Sequence, residues 1–537
     1  MLPILPLFLI VSISYLVYTF LITPFFLSPL RHLPAAHWTA RYSSLWINLQ
    51  RYRSHENAAI WGAHRHLGPI VQLGPNEVSV NCIQGGLREV YAGGMEKPPG
   101  EAGFYNFFQN FGIPNMFSTS PTRPHSHRKR LISSLYSKTT LATSPALAAQ
   151  TSLILYTRLL PALSATQPTG GTLNIYALLS AATMDIVTAY LFGLRASSTF
   201  LLDPAARDRF LGWYTSRHGF SFWGQEHPTL SAWVHRFLGI RLSPAFVGEA
   251  NAAIEAWALE MCDTAAQASS PRTIGNEKEK GEGQGVADTP TVYATLYAAV
   301  ATPPPSSKEA VVAVDRTAHL TTASELLDHF AAGFDTSGIT LAYAVHELSS
   351  RPALQAALRA ELLGLEPPII PASAPALPSA KAVDALLLLH AVVWETLRLH
   401  PAIPGPQPRV TPAGGCRLGP EGVWVPGGVR VSASAGLLHA EESVFERAGE
   451  WRPERWAEEG TERRREMDRW FWAFGSGGRM CVGKHLAIHQ MKHILAAIYS
   501  NFTTSIVNDE GIEQRDAYTA PPTSDELIIT LVPVSAG

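Results

Sequence analysis

Residues 474–483 read FGSGGRMCVG, a glycine-rich loop that carries a single cysteine, Cys481, and passes into KHLAIHQMKHILAAIY over residues 484–499. Apolar residues in the second stretch recur at helical spacing. Glycines let a backbone approach a flat cofactor, and a thiolate at a helix N-terminus is stabilised by the helix dipole and by free N–H groups. The stretch therefore predicts a cysteine prepared for ligand chemistry beside a flat cofactor.

Two other interpretations of this loop are weaker. A dinucleotide-binding loop would need a third glycine at a fixed place and a surrounding strand–helix–strand unit, and the sequence has neither. A lone cysteine is most often a buried apolar side chain. The four cysteines, at positions 82, 262, 416 and 481, are too few and too scattered for a disulfide scaffold, and they form no close pairs typical of zinc sites.

The composition limits the number of domains and the kinds of partner that the protein can have. A chain of 537 residues with 46% hydrophobic content can bury a large core, in one big domain or in up to about three ordinary ones. The formal net charge is −2, which gives no basic field of the kind that binds a nucleic-acid backbone. We therefore expect no nucleic-acid partner.

The N-terminal 30 residues contain no charged side chain. About 20 apolar residues suffice to span a bilayer, whereas a cleaved signal has a basic start and a shorter apolar region. The first positive charges, Arg31 and Arg41, follow the segment and place the rest of the chain on the cytoplasmic side. Residues 1–30 are thus predicted to be a transmembrane anchor with a proline hinge. A buried core helix is the alternative.

Residues 31–537 are predicted to form one large body that is mainly α with small β-sheets. Helical periodicity covers residues 146–164, 175–193, 323–349 and 383–400. Short β-rich runs predict hairpins over residues 69–81 and 423–431. Residues 264–290 are polar, charged and poor in core-forming residues, so they are predicted to be a flexible insertion.

Two of these helices carry unusual polar residues. In the 383–400 helix, Glu395 and Arg398 are three residues apart and share one face, as an ion pair requires. The 323–349 helix, which Thr322 and Glu325 would open as a capping box, contains AGFDTS at residues 332–337. Acidic and polar residues inside an apolar helix are locally unfavourable and indicate a functional surface, with a solvated notch as the alternative.

Taken together, the motifs resemble those of the cytochrome P-450 family. The order Phe474-x-x-Gly477-x-Arg479-x-Cys481-x-Gly483 matches the haem-binding signature at every defining position. AGFDTS resembles the oxygen-activating motif, with Ser337 where a second threonine is frequent, and PERW at 453–456 resembles the arginine signature that follows Glu-x-x-Arg. The motifs occur in the family's order over nearly the whole chain. The resemblance, closest to fungal microsomal members, implies the cytochrome P-450 fold with a single haem domain.

The resemblance also implies a cofactor, heme b, bound to iron through Cys481. Phe474, Gly477 and Gly483 would surround the ligand, and Arg479 and Arg409 would contact the haem propionates. The Trp and Arg that the family usually places four apart on an earlier helix appear here as His125 and Lys129. That departure leaves the choice among His125, Lys129 and Arg130 open, and a solvated basic face is the alternative for the 128–130 run.

For chemistry, the resemblance implies that Asp335 and Thr336 manage proton delivery and that Gly333 leaves room over the iron. Arg455 would join Glu395 and Arg398 in a buried charged trio. Buried charges are costly unless they are mutually paired, so this trio is expected to lock the fold rather than to do chemistry.

The implied activity is that of a monooxygenase that inserts one oxygen atom of O2 into a small lipophilic substrate, in fungal secondary metabolite biosynthesis. No flavin or nicotinamide motif appears, so electrons are expected from NADPH through a separate flavoprotein reductase. The expected location is the endoplasmic reticulum membrane, single-pass, with a cytosolic catalytic domain. The alternatives are an oxygen-independent isomerase or dehydratase, which the Asp335-Thr336 pair argues against, and a non-catalytic haem-binding protein, for which the oxygen helix and anchor are superfluous.

Overall fold

The computed structural model describes residues 4–100, 103–165, 171–268, 282–301, 308–457 and 460–534. Helices dominate this part of the chain and three small sheets complete it, which confirms the predicted mainly α class. The α-helices are α1 (Ile4–Val17), α2 (Leu45–Tyr52), α3 (Glu56–Leu67), α4 (Thr122–Ile132), α5 (Lys138–Thr143), α6 (Pro145–Ile154), α7 (Leu160–Ala165), α8 (Ile175–Phe192), α9 (Pro204–Ser216), α10 (Ser221–Glu226), α11 (Pro228–Leu238), α12 (Ala245–Ala268), α13 (Glu282–Ala287), α14 (Thr291–Val300), α15 (Lys308–Ser349), α16 (Pro352–Leu363), α17 (Ala380–Asp384), α18 (Leu387–Leu399), α19 (Ala435–His439), α20 (Glu462–Trp470) and α21 (Lys484–Asn501).

Shorter helical segments connect these helices. Two of them are π-helical, Tyr18–Leu27 and Leu155–Leu159, and Ile83–Ala92 is a helical segment kinked at Gln84 and Gly85. The 3₁₀ turns are Pro29–His32, Trp38–Arg41, Phe104–Phe108, Leu194–Ala196, His218–Phe220, Pro371–Ser373, Pro453–Trp456 and Gly477–Arg479.

Nine short strands form the sheets. They are β1 (Ile70–Gly74), β2 (Glu77–Val80), β3 (Thr172–Asn174), β4 (Arg409–Val410), β5 (Cys416–Leu418), β6 (Val423–Val425), β7 (Arg430–Ser432), β8 (Phe502–Asn508) and β9 (Ile528–Pro533). One sheet has the order β1-β2-β7-β4, a second has β3-β9-β8, and β5 pairs with β6 alone. In the first sheet β2 is antiparallel to β1 and parallel to β7.

One predicted hairpin is present and the other is wrong. β1 and β2 pair across a tight turn, with Ile70 opposite Val80, as the sequence predicts. The 423–431 segment is not a hairpin, because β6 pairs back to β5 whereas β7 joins β2 and β4. The Thr411 hydroxyl donates to the Pro426 carbonyl at 2.7 Å and holds the linker between β6 and β7. The two flanking runs therefore belong to different sheets.

The core is centred on α15 and α8, which pack along each other. α8 is almost wholly buried. Glycines of α15 allow the close approach: a Cβ at Gly333 would lie 3.1 Å from the Val187 side chain, and one at Gly338 would lie 3.0 Å from Ser180 Oγ. Gly333 thus serves helix packing against α8, and its expected place over the iron stays a prediction.

The apolar N-terminal helix stands out by its exposure. Leu7–Leu27 is long and apolar enough to cross a membrane, yet 6% of it is buried, against 89% for the equally apolar Ile175–Phe192 of α8. A core helix hides its apolar side chains in protein. The N-terminal segment is therefore a candidate membrane anchor, and its exposure is at odds with the buried-core alternative.

Two boundaries differ from the sequence-based expectations. α15 begins at Lys308, so Thr322 and Glu325 lie inside the helix and form no capping box. Glu325 instead accepts hydrogen bonds from the backbone N–H of Met116 at 3.0 Å. In the predicted insertion, α12 extends to Ala268 and α13 begins at Glu282, while residues 269–281 lie outside the described residues.

Candidate active site

The cysteine loop is shaped by a glycine in a left-handed conformation. Gly477 has φ +70°, and a Cβ there would lie 2.2 Å from the Tyr91 carbonyl oxygen, so only glycine fits. Further along the loop, the Cys481 N–H donates to the Phe474 carbonyl at 2.9 Å. These contacts fix the loop against the end of the Ile83–Ala92 segment and place Cys481 just before the first turn of α21.

Two backbone donors and a cation act on the Cys481 sulfur in favour of the thiolate, against the larger effect of burial. Burial raises the pKa of the Cys481 thiol, while the backbone N–H groups of Gly483 and Lys484 donate to the sulfur and act to lower that pKa, as does the nearby Lys129 ammonium. The other buried cysteines have acidic neighbours instead. Burial and the Glu89 carboxylate raise the pKa of Cys82 to about 12. The donor set therefore suits a sulfur ligand at Cys481.

Three cations, Lys97, Arg409 and Arg479, and the His125 ring lie close to the cysteine loop. Lys97 is 3% exposed, Arg409 6% and His125 5%. Burial and the neighbouring cations lower the pKa of His125 to about 3, so its ring is neutral, and burial and Arg409 lower the pKa of Arg479 to about 10. Like charges held this close are unfavourable unless an anion joins them.

These cations are directed by neutral acceptors. Arg409 donates to the Tyr105 hydroxyl at 2.9 Å, Arg479 donates to the Thr119 carbonyl at 2.8 Å, and Lys97 donates to the Phe117 carbonyl. Within the described ranges none of the three cations forms an ion pair. A thiolate position beside unneutralised cations fits haem, whose iron takes a sulfur ligand and whose two propionates carry negative charge.

The sequence-predicted propionate candidates fall in three different places. His125 lies buried within the cation group. Lys129 is bound to the cysteine loop itself, donating to the Gly478 carbonyl at 2.9 Å and the Met480 carbonyl at 3.0 Å. Arg130 is exposed and is absent from the cations that lower the pKa of His125. Lys97 was missed, because nothing in its spacing marks it before Pro98.

The oxygen motif of α15 presents one face to a cavity. Thr336 Oγ1 donates to the Ala332 carbonyl at 2.8 Å, and both residues line the cavity with Asp335. The Tyr214 hydroxyl donates to Asp335 Oδ2 at 3.2 Å. Burial raises the pKa of Asp335 to about 6, although hydrogen bonds from Thr519 and Tyr214 act to lower it. Asp335 can thus exchange a proton near neutral pH.

The opposite face of this motif is tied to the cysteine helix. Gln490 of α21 donates to Ser337 Oγ at 2.6 Å and to the Gly333 carbonyl at 2.9 Å. Ser337 therefore faces α21, whereas Thr336 faces the cavity. Gln490 was missed by sequence reasoning, since a lone glutamine on a helix carries no distinctive signal.

The cavity has a volume of about 420 Å³. Parts of its wall come from the segments around Phe104–Phe108, Leu327–Ala332 and Tyr518. The sequence did not predict the contribution of α9 and α10, which add Tyr214, Arg217, Phe222 and Glu226.

Charges fasten α10 to the first sheet at one end of the cavity. Glu226 of α10 lies 2.7 Å from Arg430 of β7 and 3.6 Å from Arg51 of α2. Arg430 and Arg51 also pair with Glu77 of β2. This network joins segments that lie about two hundred residues apart in the chain.

Away from the cavity, the three predicted structural charges meet. Glu395 lies 2.7 Å from Arg398 and 2.9 Å from Arg455, and the Trp456 indole donates to it at 2.8 Å. Arg398 also donates to the carbonyls of His439 and Ala448. Each buried charge is thus satisfied by an opposite charge or by carbonyl oxygens, as a stable buried network requires.

Comparisons with known proteins agree with this site. The cytochrome P450 family model matches residues 315–528, which include the oxygen motif, the charged trio and the cysteine loop. The fold and site define a haem-thiolate protein, and the chain belongs to the cytochrome P450 family, in its monooxygenase class.

Curated fungal proteins are similar to this chain, two of them over most of their length and a third over about a quarter. Cytochrome P450 monooxygenase avaI of Aspergillus versicolor is 27% identical over 439 residues, covering 79% of this chain and 92% of that protein. Cytochrome P450 monooxygenase FGM1 of Gibberella zeae is 25% identical over 502 residues, covering 92% of this chain and 90% of that protein. Cytochrome P450 monooxygenase mfmA of Annulohypoxylon moriforme is 34% identical over 142 residues, covering 26% and 27% respectively.

Proposed function

We propose that this chain is a membrane-anchored monooxygenase that binds heme b through Cys481 and inserts one oxygen atom of O2 into a small lipophilic substrate of fungal secondary metabolism. The observation that carries the proposal is the Cys481 sulfur with two backbone N–H donors at the start of α21. Haem supplies dioxygen activation when bound, and a thiolate ligand favours cleavage of the O–O bond. The family relationship favours this activity over an isomerase or a haem carrier.

The chain's own residues would bind the cofactor and deliver protons. Lys97, Arg409, Arg479 and His125 would hold the propionates, and Gly477 and Gly483 would let the loop approach the ring beside Phe474. Lys129 would hold the loop through its two carbonyl contacts, and Arg130, which is exposed, would not contact the propionates. Asp335 would take up and release protons, and the Thr336 hydroxyl, whose own proton is donated to the Ala332 carbonyl, would accept a hydrogen bond in the cavity.

The proposed partners are an NADPH-dependent flavoprotein reductase and a membrane. Leu7–Leu27 would anchor the chain in the endoplasmic reticulum membrane, with the catalytic domain in the cytosol. Protease protection of the full chain in microsomes checks this topology. Digestion of the catalytic domain only after the membranes are opened would contradict it.

The spectrum of the reduced, carbon-monoxide-treated protein tests the ligand. The full chain should show the red-shifted Soret band of a thiolate-ligated haem, and Cys481→Ser should lose it. Cys416→Ser, a half-buried cysteine in β5, is the matched control and should keep the band. An imidazole-type band in the unaltered protein, or retention of the thiolate band in Cys481→Ser, would overturn the proposal.

Activity is tested by co-expression with a reductase and a panel of terpenoid, polyketide and alkaloid precursors. The expected product is heavier than its precursor by one oxygen atom, which derives from labelled O2. A product formed equally without O2 would favour the isomerase or dehydratase instead.

A further inference from the structure

One carboxylate in the cavity has no use in the chemistry described above. Asp328 of α15 lies one helical turn before Ala332, on the face that lines the cavity. Within the part of the chain that the structure describes, its side chain accepts no hydrogen bond and forms no ion pair.

The neighbouring charged groups are engaged elsewhere. Lys97 favours the ionised form of Asp328 electrostatically but donates to the Phe117 carbonyl. The His329 ring faces Tyr136 and Glu325, at 3.0 and 3.4 Å. Burial and Glu325 raise the pKa of Asp328 to about 7, against the opposing effects of His329 and Lys97. The Asp328 carboxylate is therefore available to accept from a positively charged group in the cavity.

Other carboxylates that line the cavity are satisfied. Glu226 pairs with Arg430 and Glu56 with Arg51, and Asp335 accepts from Tyr214. Glu255 accepts from the Phe111 N–H, and Asp516 accepts from the N–H groups of Asn57 and Ala58. Asp328 is the exception among these lining carboxylates.

The side chains that line the cavity include more acidic groups than basic ones. The wall contains six carboxylates, those of Glu56, Glu226, Glu255, Asp328, Asp335 and Asp516, and three guanidinium groups, those of Arg51, Arg217 and Arg430. Burial lowers the pKa of His218, which also lines the wall, to about 4, so its ring is neutral. A cavity with this excess of negative charge attracts cations.

Aromatic rings line the same cavity. The rings of Phe108 and Tyr518 have centroids 5.1 Å apart, as have those of Phe108 and Phe117, and Phe104 lies 6.0 Å from Tyr518. Asp328 is close enough to Tyr518 for its charge to raise the pKa of that phenol. Ring faces attract cations, especially where water is excluded.

We propose that Asp328, with the rings of Phe108 and Tyr518, binds a positively charged nitrogen of the substrate, because Lys97 and Arg430 already lie over the rings of Phe117 and Phe104. The inference rests on the proposed function and names its substrate class, a lipophilic amine that is protonated or quaternary. Asp328 would hold the cation by charge, and the rings would surround its alkyl groups.

Two probes of equal shape test the inference. The cationic probe is (4-phenylbutyl)trimethylammonium and its neutral isostere is (5,5-dimethylhexyl)benzene, in which carbon replaces nitrogen. The quaternary nitrogen can neither ligate iron nor donate a hydrogen bond, so the pair differs in charge and in the hydration that the charge brings. Calorimetric titration of the full-length holoprotein at pH 8 should show saturable binding of the cation, and the change in each affinity on substitution of Asp328, rather than the ratio of the two affinities, isolates the charge contact.

The variant Asp328→Asn keeps the side-chain shape and removes the charge. It should weaken binding of the cation by about tenfold and leave binding of the isostere within about twofold. Retained isostere binding shows that the variant is folded. Asp208→Asn, which removes an exposed carboxylate beside Arg207, is the matched control and should alter neither affinity.

An unchanged cation affinity in Asp328→Asn, with binding of the isostere retained, would overturn the inference. A substrate anchored by a neutral hydroxyl would give that result. Failure of the proposed function has a different signature, namely loss of the thiolate-type spectrum in the unaltered holoprotein.

Discussion

Gln490 donates to Ser337 Oγ at 2.6 Å, which connects the helix that follows the cysteine ligand to the helix that carries the oxygen motif. The same amide donates to the Gly333 carbonyl, so one side chain holds two sites on α15. Because Gln490 and Ser337 are both buried, water cannot replace these bonds. The distance between the cysteine loop and Thr336 therefore depends on this contact.

The first prediction concerns that contact. Gln490→Leu leaves the Ser337 hydroxyl and the Gly333 carbonyl without this donor and should lower the free energy of unfolding by about 1–3 kcal/mol. Adding Ser337→Ala should cost less in Gln490→Leu than in the unaltered protein, because the shared bond is already lost. Denaturant unfolding of all four proteins measures this. Strict additivity would contradict a direct interaction.

The second prediction concerns proton delivery. Thr336→Ala should keep haem binding but divert NADPH electrons into hydrogen peroxide, because the hydroxyl oxygen that would accept a hydrogen bond in the cavity is gone. The ratio of product to NADPH measures the effect. Thr340→Ala removes a similar hydroxyl, one turn further along and bonded to the Thr336 carbonyl, and should leave the ratio unchanged. Unchanged coupling in Thr336→Ala would count against its participation.

The third prediction concerns the charged trio. Glu395→Gln leaves Arg398 and Arg455 buried without their carboxylate and should destabilise the protein by about 3–5 kcal/mol. We expect little folded holoprotein, measured as haem content per chain. Glu466→Gln, which breaks an exposed pair with Arg469, should cost less than about 1 kcal/mol. Normal haem content in Glu395→Gln would refute the locking function.

The fourth prediction separates the apoprotein from the holoprotein. Lys97→Met removes a buried cation beside Arg409 and Arg479, so the apoprotein should melt at a higher temperature. The same change should make haem dissociate about tenfold faster, because a propionate loses its counter-charge. Lys381→Met, at an exposed position of α17, should do neither. Stabilisation of both forms would argue against propionate binding by Lys97.

The fifth prediction concerns pH. A carboxyl whose pKa is raised to about 7 is neutral below that pH and charged above it. Affinity for the quaternary ammonium probe should therefore rise from pH 6 to pH 8, while affinity for its isostere stays level. Lys97, His329 and Glu325 face Asp328 electrostatically, so Asp328→Asn is needed to assign the effect and should abolish it. Persistence of the rise in that variant would assign it to another group.

The sequence was informative where one residue type at a fixed spacing has a single chemical use. Cys481 and Gly477 are examples, because a thiolate ligand and a positive φ leave few alternatives. The ion pairs among Glu395, Arg398 and Arg455 were also predictable, because a buried charge is stable only beside an opposite charge. Local sequence patterns predicted the wrong structure where tertiary contacts determine strand pairing or a helix boundary. β6 and β7 have similar sequences but different partners, and Thr322 and Glu325 resemble a cap although α15 begins earlier.

Residues that act through distant contacts left no local signal. Lys97 and Gln490 are single polar residues whose meaning depends on segments hundreds of positions away. For Gly333 the motif suggested a place over the iron, whereas the contact with Val187, where a Cβ would lie, appears only in the fold. In the sequence Asp328 resembles an ordinary helix residue, and only the fold places it in the cavity wall.

The pairing of Glu226 with Arg430 holds α10 to the first sheet without involving the cysteine loop. α9 and α10 supply wall residues, whereas the thiolate loop, α21 and the charged trio are built from the C-terminal half. If Glu226 and Arg430 are kept, together with Tyr214, which donates to Asp335, exchanges at the other wall positions of α9 and α10 can change which molecules fit without altering the proposed iron ligand. Enzyme engineers can therefore randomise those wall positions while holding the remaining scaffold constant.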